Sequence, residues 1–211
     1  MNDSRDLKKD VSYINKLNKT EVLRLIRLSG VVSRAEIVKK TKLSAPTVTR
    51  IVESLIDSNL VCMVGDGDST GGRPPKLIRF DGSNNFVIGI DLGSTNIRAV
   101  ISNLDGKFLT EIETPTDLKG GFEKISQQVV GLIHKLLKRS KLLEDEIRGV
   151  GLAVAGLINI ETGIIEYSPM FNWKKVNLRD ELTKYLKMAV FYDNVSRVTA
   201  LGELLYGVGK K

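Results

Sequence analysis

FVIGIDLGSTNIR, residues 86–98, decides how this chain is read. The apolar run Phe86, Val87, Ile88 and Ile90 makes a buried strand that ends on the carboxylate of Asp91. Gly93-Ser94-Thr95 then supplies a glycine turn with hydroxyls and backbone amides, and the chain returns as a second strand. Such a turn can form a nest for a phosphate, lined by Gly93, Ser94 and Thr95, with Arg98 as a further donor and Asp91 placed for a metal ion. The same D-x-G-x-T spacing fits a tight hairpin whose Asp satisfies turn amides, and pattern alone leaves both readings open.

Toward the C-terminus, further strands are expected at Ile97–Asn103 and Lys107–Glu113, then a helix from Phe122 to Arg139. A strand at Gly149–Val154, a helix at Leu178–Leu186, a strand at Ala189–Tyr192 and a helix at Val195–Tyr206 complete the run. Long apolar strands alternating with helices mark an α/β fold. Three strands followed by helix, strand, helix, strand, helix is the element order of one ribonuclease H-like (actin-like ATPase) lobe.

Toward the N-terminus the grammar changes. Val22, Leu23, Ile26 and Leu28 give Asn18–Arg27 a helical stripe that Ser29-Gly30 ends. Ser33-Arg34-Ala35-Glu36 reads as a capping box for a second helix running to Thr41. Ser44 caps a third, with Pro46 in its first turn and Val48, Ile51, Val52 and Leu55 as its buried stripe. Strands at Leu60–Val64 and Lys76–Phe80 flank the loop GDGDSTGGRPP. This is the order of a winged helix-turn-helix, an all-α-plus-wing domain whose third helix enters a major groove. Ser44, Thr47, Thr49 and Arg50 on that helix, and Arg73 and Lys76 in and after the loop, are the DNA-binding candidates. Gly-Gly-Arg-Pro-Pro has no apolar side chain to bury, and its extended backbone can carry Arg73 into a narrow minor groove. It also reads as an interdomain linker, and three short helices occur in bundles that never touch DNA. The domains expected are therefore residues 1–81, a linker at 82–85, and residues 86–211.

Composition agrees with this division. The 211 residues carry a formal charge of +7, and the first 85 hold 15 Lys and Arg against 10 Asp and Glu. A basic N-terminal part suits a polyanionic partner. One Cys (Cys62) and one His (His134) exclude a disulfide framework and leave no zinc cluster. The charged N-terminus has no secretory h-region and no apolar run reaches bilayer length, so a cytoplasmic protein with no membrane partner is expected.

The stretches GVVSRAEIVKKTKLSAPTVTRIVESLIDSNLV (30–61), GGRPPKLIRF (71–80), VIGIDLGSTNIRAVISNLDG (87–106), GVGLAVAGLINIETGIIEYSPMFNW (149–173) and ALGELLYG (200–207) resemble the ROK family of repressors, open reading frames and sugar kinases. The winged-helix appendage resembles the sugar-responsive repressor branch. The resemblance implies an actin-like sugar kinase fold, with D-x-G-x-T as a phosphate motif and sugar in the cleft between two lobes. Asn172 and Asn194 then become sugar-binding candidates. It also implies a second lobe with an E-x-G-H sugar motif, a cysteine-rich zinc motif and most of the adenosine site, none of which this sequence holds. In family kinases an Asn-Asp pair precedes the ALGE segment, and its Asp acts as base toward the sugar hydroxyl. Counting back from Ala200, Asn194 falls on the Asn and Val195 on the Asp. A valine cannot accept a proton, so no catalytic residue is assigned. What is expected is a dimeric repressor of carbohydrate-utilisation genes that binds double-stranded operator DNA and a sugar effector. The competing reading is an ATP-dependent sugar kinase, with ATP and magnesium as its cofactors. A third is a fragment with an apolar face bare at Val195–Tyr206.

Overall fold

Ser33 forms the expected capping box. Its hydroxyl accepts from the Glu36 amide at 3.3 Å, and the Ser33 amide donates to Glu36 Oε2 at 2.8 Å. These local bonds start the second helix of a computed structural model that describes residues 3–67 and 74–209. Contacts divide the chain between Gly82 and Ser83 into two units.

The N-terminal unit runs α1 (Asp3–Ser29), β1 (Val31–Ser33), α2 (Arg34–Thr41), α3 (Ala45–Asp57), β2 (Val61–Asp66) and β3 (Lys76–Phe80). Ser44 caps α3 by accepting from the Thr47 amide, with proline in the first turn. Lys42 breaks the path between α2 and α3 by adopting a left-handed conformation, φ 59°. Val22, Ile26, Ile37, Val48, Val52 and Leu55 are fully buried between the helices, with Ile78 beneath them on β3. Burying each such side chain stabilises the unit by about 1.5–3 kcal/mol. Two features differ from the expected pattern. The first helix begins at Asp3, well before Asn18, because residues 3–17 hold no Gly or Pro to stop it. Val31–Ser33, too short to show alternation, pairs with β3 and completes a three-stranded antiparallel sheet of order β1-β3-β2.

The C-terminal unit contains β4 (Phe86–Leu92), β5 (Asn96–Asn103), β6 (Phe108–Pro115), α4 (Gly121–Ser140), β7 (Ile147–Val154), β8 (Leu157–Ile158), β9 (Ile164–Ser168), β10 (Trp173–Asn177), α5 (Leu178–Thr183), β11 (Val190–Asn194) and α6 (Val195–Tyr206). Its main sheet has the order β11-β7-β4-β5-β6; β4, β5 and β6 form an antiparallel meander, while β7 and β11 run parallel to β4. Alternation sends Ile88, Ile90, Leu92, Ile97, Ala99 and Ile101 into a core with Ile125, Val129, Ile133 and Leu136 of α4. Asp91 lies on the opposite face.

Residues 155–177 differ most from expectation. They form a second antiparallel sheet, β10-β9-β8, where no strand was expected. Its strands are two to five residues long, below the length at which periodicity is readable. Asn159 closes the β8–β9 turn by accepting from the amides of Glu161 and Thr162, and Gly163 supplies φ 76°. Ser83–Asn85 belong with the C-terminal unit and are not a free linker. Asn85 is fully buried; its side chain accepts from Arg148 at 2.8 Å and its carbonyl from the Leu104 amide. Helix α6 buries none of its side chains. Among the described residues, no helix is long and apolar enough to cross a membrane.

Candidate functional site

Two groups of expected site residues lie on separate units. On the N-terminal unit, the outer face of α3 carries Pro46, Arg50 and Glu53, all exposed, and the half-buried Thr47 and Thr49. Ser44 and Thr47 share a hydroxyl–hydroxyl bond of 2.8 Å, so both side chains are fixed to the first turn. Arg50 extends from the second turn, and its Nη2 donates to Asn15 Oδ1 of α1 at 3.0 Å. Lys76 forms an exposed ion pair with Asp66 at 2.8 Å, across the β2–β3 pair. Arg73 lies outside the described residues. Asn15 and Glu53 were not anticipated, since nothing local marks them.

On the C-terminal unit, the β4–β5 turn is built as a hairpin. The Gly93 amide donates to the Asn96 carbonyl at 3.1 Å, and a Cβ on Gly93 would stand 2.8 Å from that same carbonyl oxygen. The turn therefore requires glycine. Thr116, just beyond β6, pins it from the side: its hydroxyl donates to the Gly93 carbonyl at 2.7 Å and its amide to the Thr95 carbonyl at 2.9 Å. Asp91, Gly93, Ser94, Thr95 and Arg98 meet around one open cavity of about 290 Å³, joined by Asn96, Glu113 and Met170.

The electrostatics of this cavity differ from a simple phosphate nest. Arg98 reaches it, but Nε and Nη2 both donate to Glu113 Oε2, at 3.2 and 3.1 Å, and Glu111 stands 3.4 Å from Nε. The bonds to Glu113 and the nearby carboxylates hold the Arg98 pKa above its ordinary value. Asn96 donates to the other oxygen of Glu113 at 2.8 Å. With Asp91 and Glu113 on its rim, the cavity suits a phosphate that arrives with a cation better than a bare one. For magnesium–ATP, Asp91 is the residue that would face the metal, and Ser94 and Thr95 those that would face phosphate. Glu113 could have been found from sequence only with the β5–β6 register in hand, since it stands opposite Arg98 in that ladder.

Asn172 and Asn194 do not line this cavity. Asn172 is an exposed turn residue with φ 53°, beside Trp173, which is 5% exposed and stacked on Phe171 at 4.5 Å. Asn194 caps α6: its Oδ1 accepts from the Ser196 amide at 2.9 Å and its Nδ2 donates to the Gly156 carbonyl at 2.8 Å. Val195 is the first residue of α6. Asp193 aligns with Ala153 of β7, which aligns with Asp91 of β4, so the two carboxylate residues occupy one row of the sheet. Asp193 Oδ1 accepts from the Asn194 amide at 2.7 Å and lies 3.4 Å from Arg197.

Known proteins resemble the chain over both units. A protein named xylose repressor from Caldicellulosiruptor bescii is 31% identical over 196 residues, covering 93% of this chain and 49% of that protein. A glucokinase from Halalkalibacterium halodurans is 28% identical over 127 residues, covering 60% of this chain and 38% of the enzyme. The crystal structure of a ROK family transcriptional regulator, a homologue of the E. coli MLC protein, superposes with a TM-score of 0.78 over 92% of this chain and 49% of its own, at 24% identity, so the fold is shared. The chain spans about half the length of the xylose repressor it matches. The ROK family itself matches residues 87–211, and the chain belongs to that family.

Proposed function

We propose that this chain is the DNA-binding and effector-responsive part of a transcriptional regulator of carbohydrate-utilisation genes, acting as a repressor. The N-terminal unit is read as a winged helix-turn-helix: α3 enters the major groove, and the segment between β2 and β3 is the wing. In this reading Ser44, Thr47, Thr49, Arg50, Arg73 and Lys76 meet the operator, and a homodimer engages two half-sites. The C-terminal unit is read as a ribonuclease H-like lobe whose Asp91–Arg98 turn and Asn172 and Asn194 face a sugar or phosphate effector in the cytoplasm.

The observation that carries this reading is the extent of the matches. Similarity to the xylose repressor runs over 93% of the chain, and similarity to the glucokinase over 60%. The second length cannot take in both units in full, whereas the first includes most of each. Val195 at the position of a kinase base supports the same preference.

The test is fluorescence anisotropy of a labelled duplex from the gene's own upstream region against a scrambled duplex, over a salt series. Preference for the native duplex, weakening steeply with salt, is the expected result. Equal, weak binding to both would overturn the reading. Release by one member of a panel of xylose, glucose and N-acetylglucosamine would identify the effector. ATP-dependent phosphorylation of any of these sugars would favour the kinase instead.

A further inference from the structure

The first helix begins well before the residues that fill the core. Among the described side chains of α1, Val22 and Ile26 are the fully buried ones in the N-terminal unit. The same face, continued toward the N-terminus at three- and four-residue steps, carries Asn18, Lys19 and Asn15, all half-buried. There the face becomes polar and meets α3. Lys19 Nζ donates to Ser54 Oγ at 2.8 Å, and Arg50 Nη2 donates to Asn15 Oδ1 at 3.0 Å. Both contacts advance by four residues on each helix, so the two helices run side by side in the same sense along this seam. Tyr13, Ile14 and Leu17, on the other faces of α1, are exposed.

The partner chosen for Arg50 is informative. The Asn15 amide oxygen accepts one hydrogen bond from Arg50 and carries no charge. It takes one of the five N–H donors of the guanidinium and leaves four, with the positive charge intact. A carboxylate in its place would orient the same fork while cancelling the charge that a DNA partner needs. Long arginine side chains also lose substantial rotamer entropy on binding, and a fixed contact made beforehand reduces that loss.

We propose that Asn15 is a positioning residue for DNA recognition: from α1 it orients the Arg50 guanidinium on the outer face of α3, and so sets base discrimination at the pair Arg50 reads. The proposal rests on the regulator reading above and adds α1 to the DNA-reading surface. Asn15 acts through Arg50 and itself contacts no base.

The experiment enriches duplexes from a randomised library with the wild-type chain, then measures binding of the enriched duplex and its single-pair variants by anisotropy. Arg50→Ala should lose discrimination at one base pair and lower the salt slope by about one ion, as for any lost charged contact. Asn15→Ala should lose discrimination at that same pair by about threefold to tenfold, within the range of one imperfect bidentate contact, with the salt slope unchanged. Asn15→Asp should keep discrimination but flatten the slope, since its acceptor remains and its charge opposes Arg50. The double variant Asn15→Ala with Arg50→Ala should be no worse than Arg50→Ala. Arg50 is exposed and Asn15 half-buried, and neither belongs to the apolar core, so melting temperatures should stay close to wild type. If Asn15→Ala leaves discrimination intact while Arg50→Ala abolishes it, or if the two losses add, the positioning role is overturned. A wild-type chain that enriches no duplex would instead remove the DNA-binding reading itself.

Discussion

Arg98 and Glu113 stand opposite each other in the β5–β6 ladder, and Nε and Nη2 of the guanidinium both donate to one Glu113 oxygen, at 3.2 and 3.1 Å. The guanidinium that lines the cavity with the Gly93–Thr95 turn is thus held by a carboxylate of the same cavity. Glu113→Gln should release it. Inorganic phosphate binding, followed by calorimetry, should tighten by about threefold to tenfold, the net scale of one ordinary hydrogen bond made available. Arg98→Ala in the same background should cancel the gain. No change in Glu113→Gln would show that the turn does not bind anions through Arg98.

The capping box of α2 predicts a pH dependence with a definite sign. Hydrogen bonds from the Ser33 amide and hydroxyl, aided by Lys40 and Lys39, hold the Glu36 carboxyl below its usual 4.5. A lowered folded-state value means that the stabilisation is fully present above the unfolded value and is lost as pH falls through the folded one. Glu36→Ala should therefore melt below wild type at pH 7, and the gap should close as pH drops below about 4.5. Ser33→Ala should cost about 1 kcal/mol at neutral pH in urea unfolding. A gap that widens in acid would contradict the assignment.

Gly93→Ala tests the turn itself. The added Cβ meets a backbone carbonyl, which cannot swing aside as a flexible side chain could. The hairpin must shift, at a cost of about 1–3 kcal/mol, as for other over-packed sites. Thermal unfolding followed by near-UV absorbance should show the C-terminal unit destabilised. An alanine variant with an unchanged melting curve would mean that the turn accommodates a Cβ and does not require glycine.

Asn194→Ala should remove both the cap on the Ser196 amide and the bond to the Gly156 carbonyl. The expected loss is about 1–2 kcal/mol in denaturant unfolding. Asn194→Asp keeps the cap, though not the amide donor, and should recover about half of it. If sugar binding falls while stability does not, Asn194 faces ligand rather than helix.

Much of the fold is legible in local chemistry. Ser33 with Glu36, and Ser44 with Pro46, mark helix starts because the bonds that make them lie within three residues. Ile88, Ile90, Ile97, Ala99 and Ile101 announce buried strands because a pleat sends alternate side chains to one core. The short strands of residues 157–177 escape, since two to five residues cannot display a period. The start of α1 escapes for another reason. Residues 3–17 mix helix-forming Lys, Arg and Leu with Asp, Ser and Asn and lack a strong apolar stripe, and propensity alone gives no starting point.

The candidate sites divide in the same way. Sequence by itself determined which residues sit on the β4–β5 turn and on the outer face of α3, because spacing along one element sets its faces. It also determined the basic balance of the N-terminal half and the valine at position 195. Only the tertiary structure decided the partners: Glu113 for Arg98, Thr116 for Gly93, Asn15 for Arg50, and Gly156 for Asn194. Each of these pairs joins residues 15 to 38 positions apart. Contacts at such separations depend on strand register and helix packing, which the whole core sets through burial rather than any local run of residues.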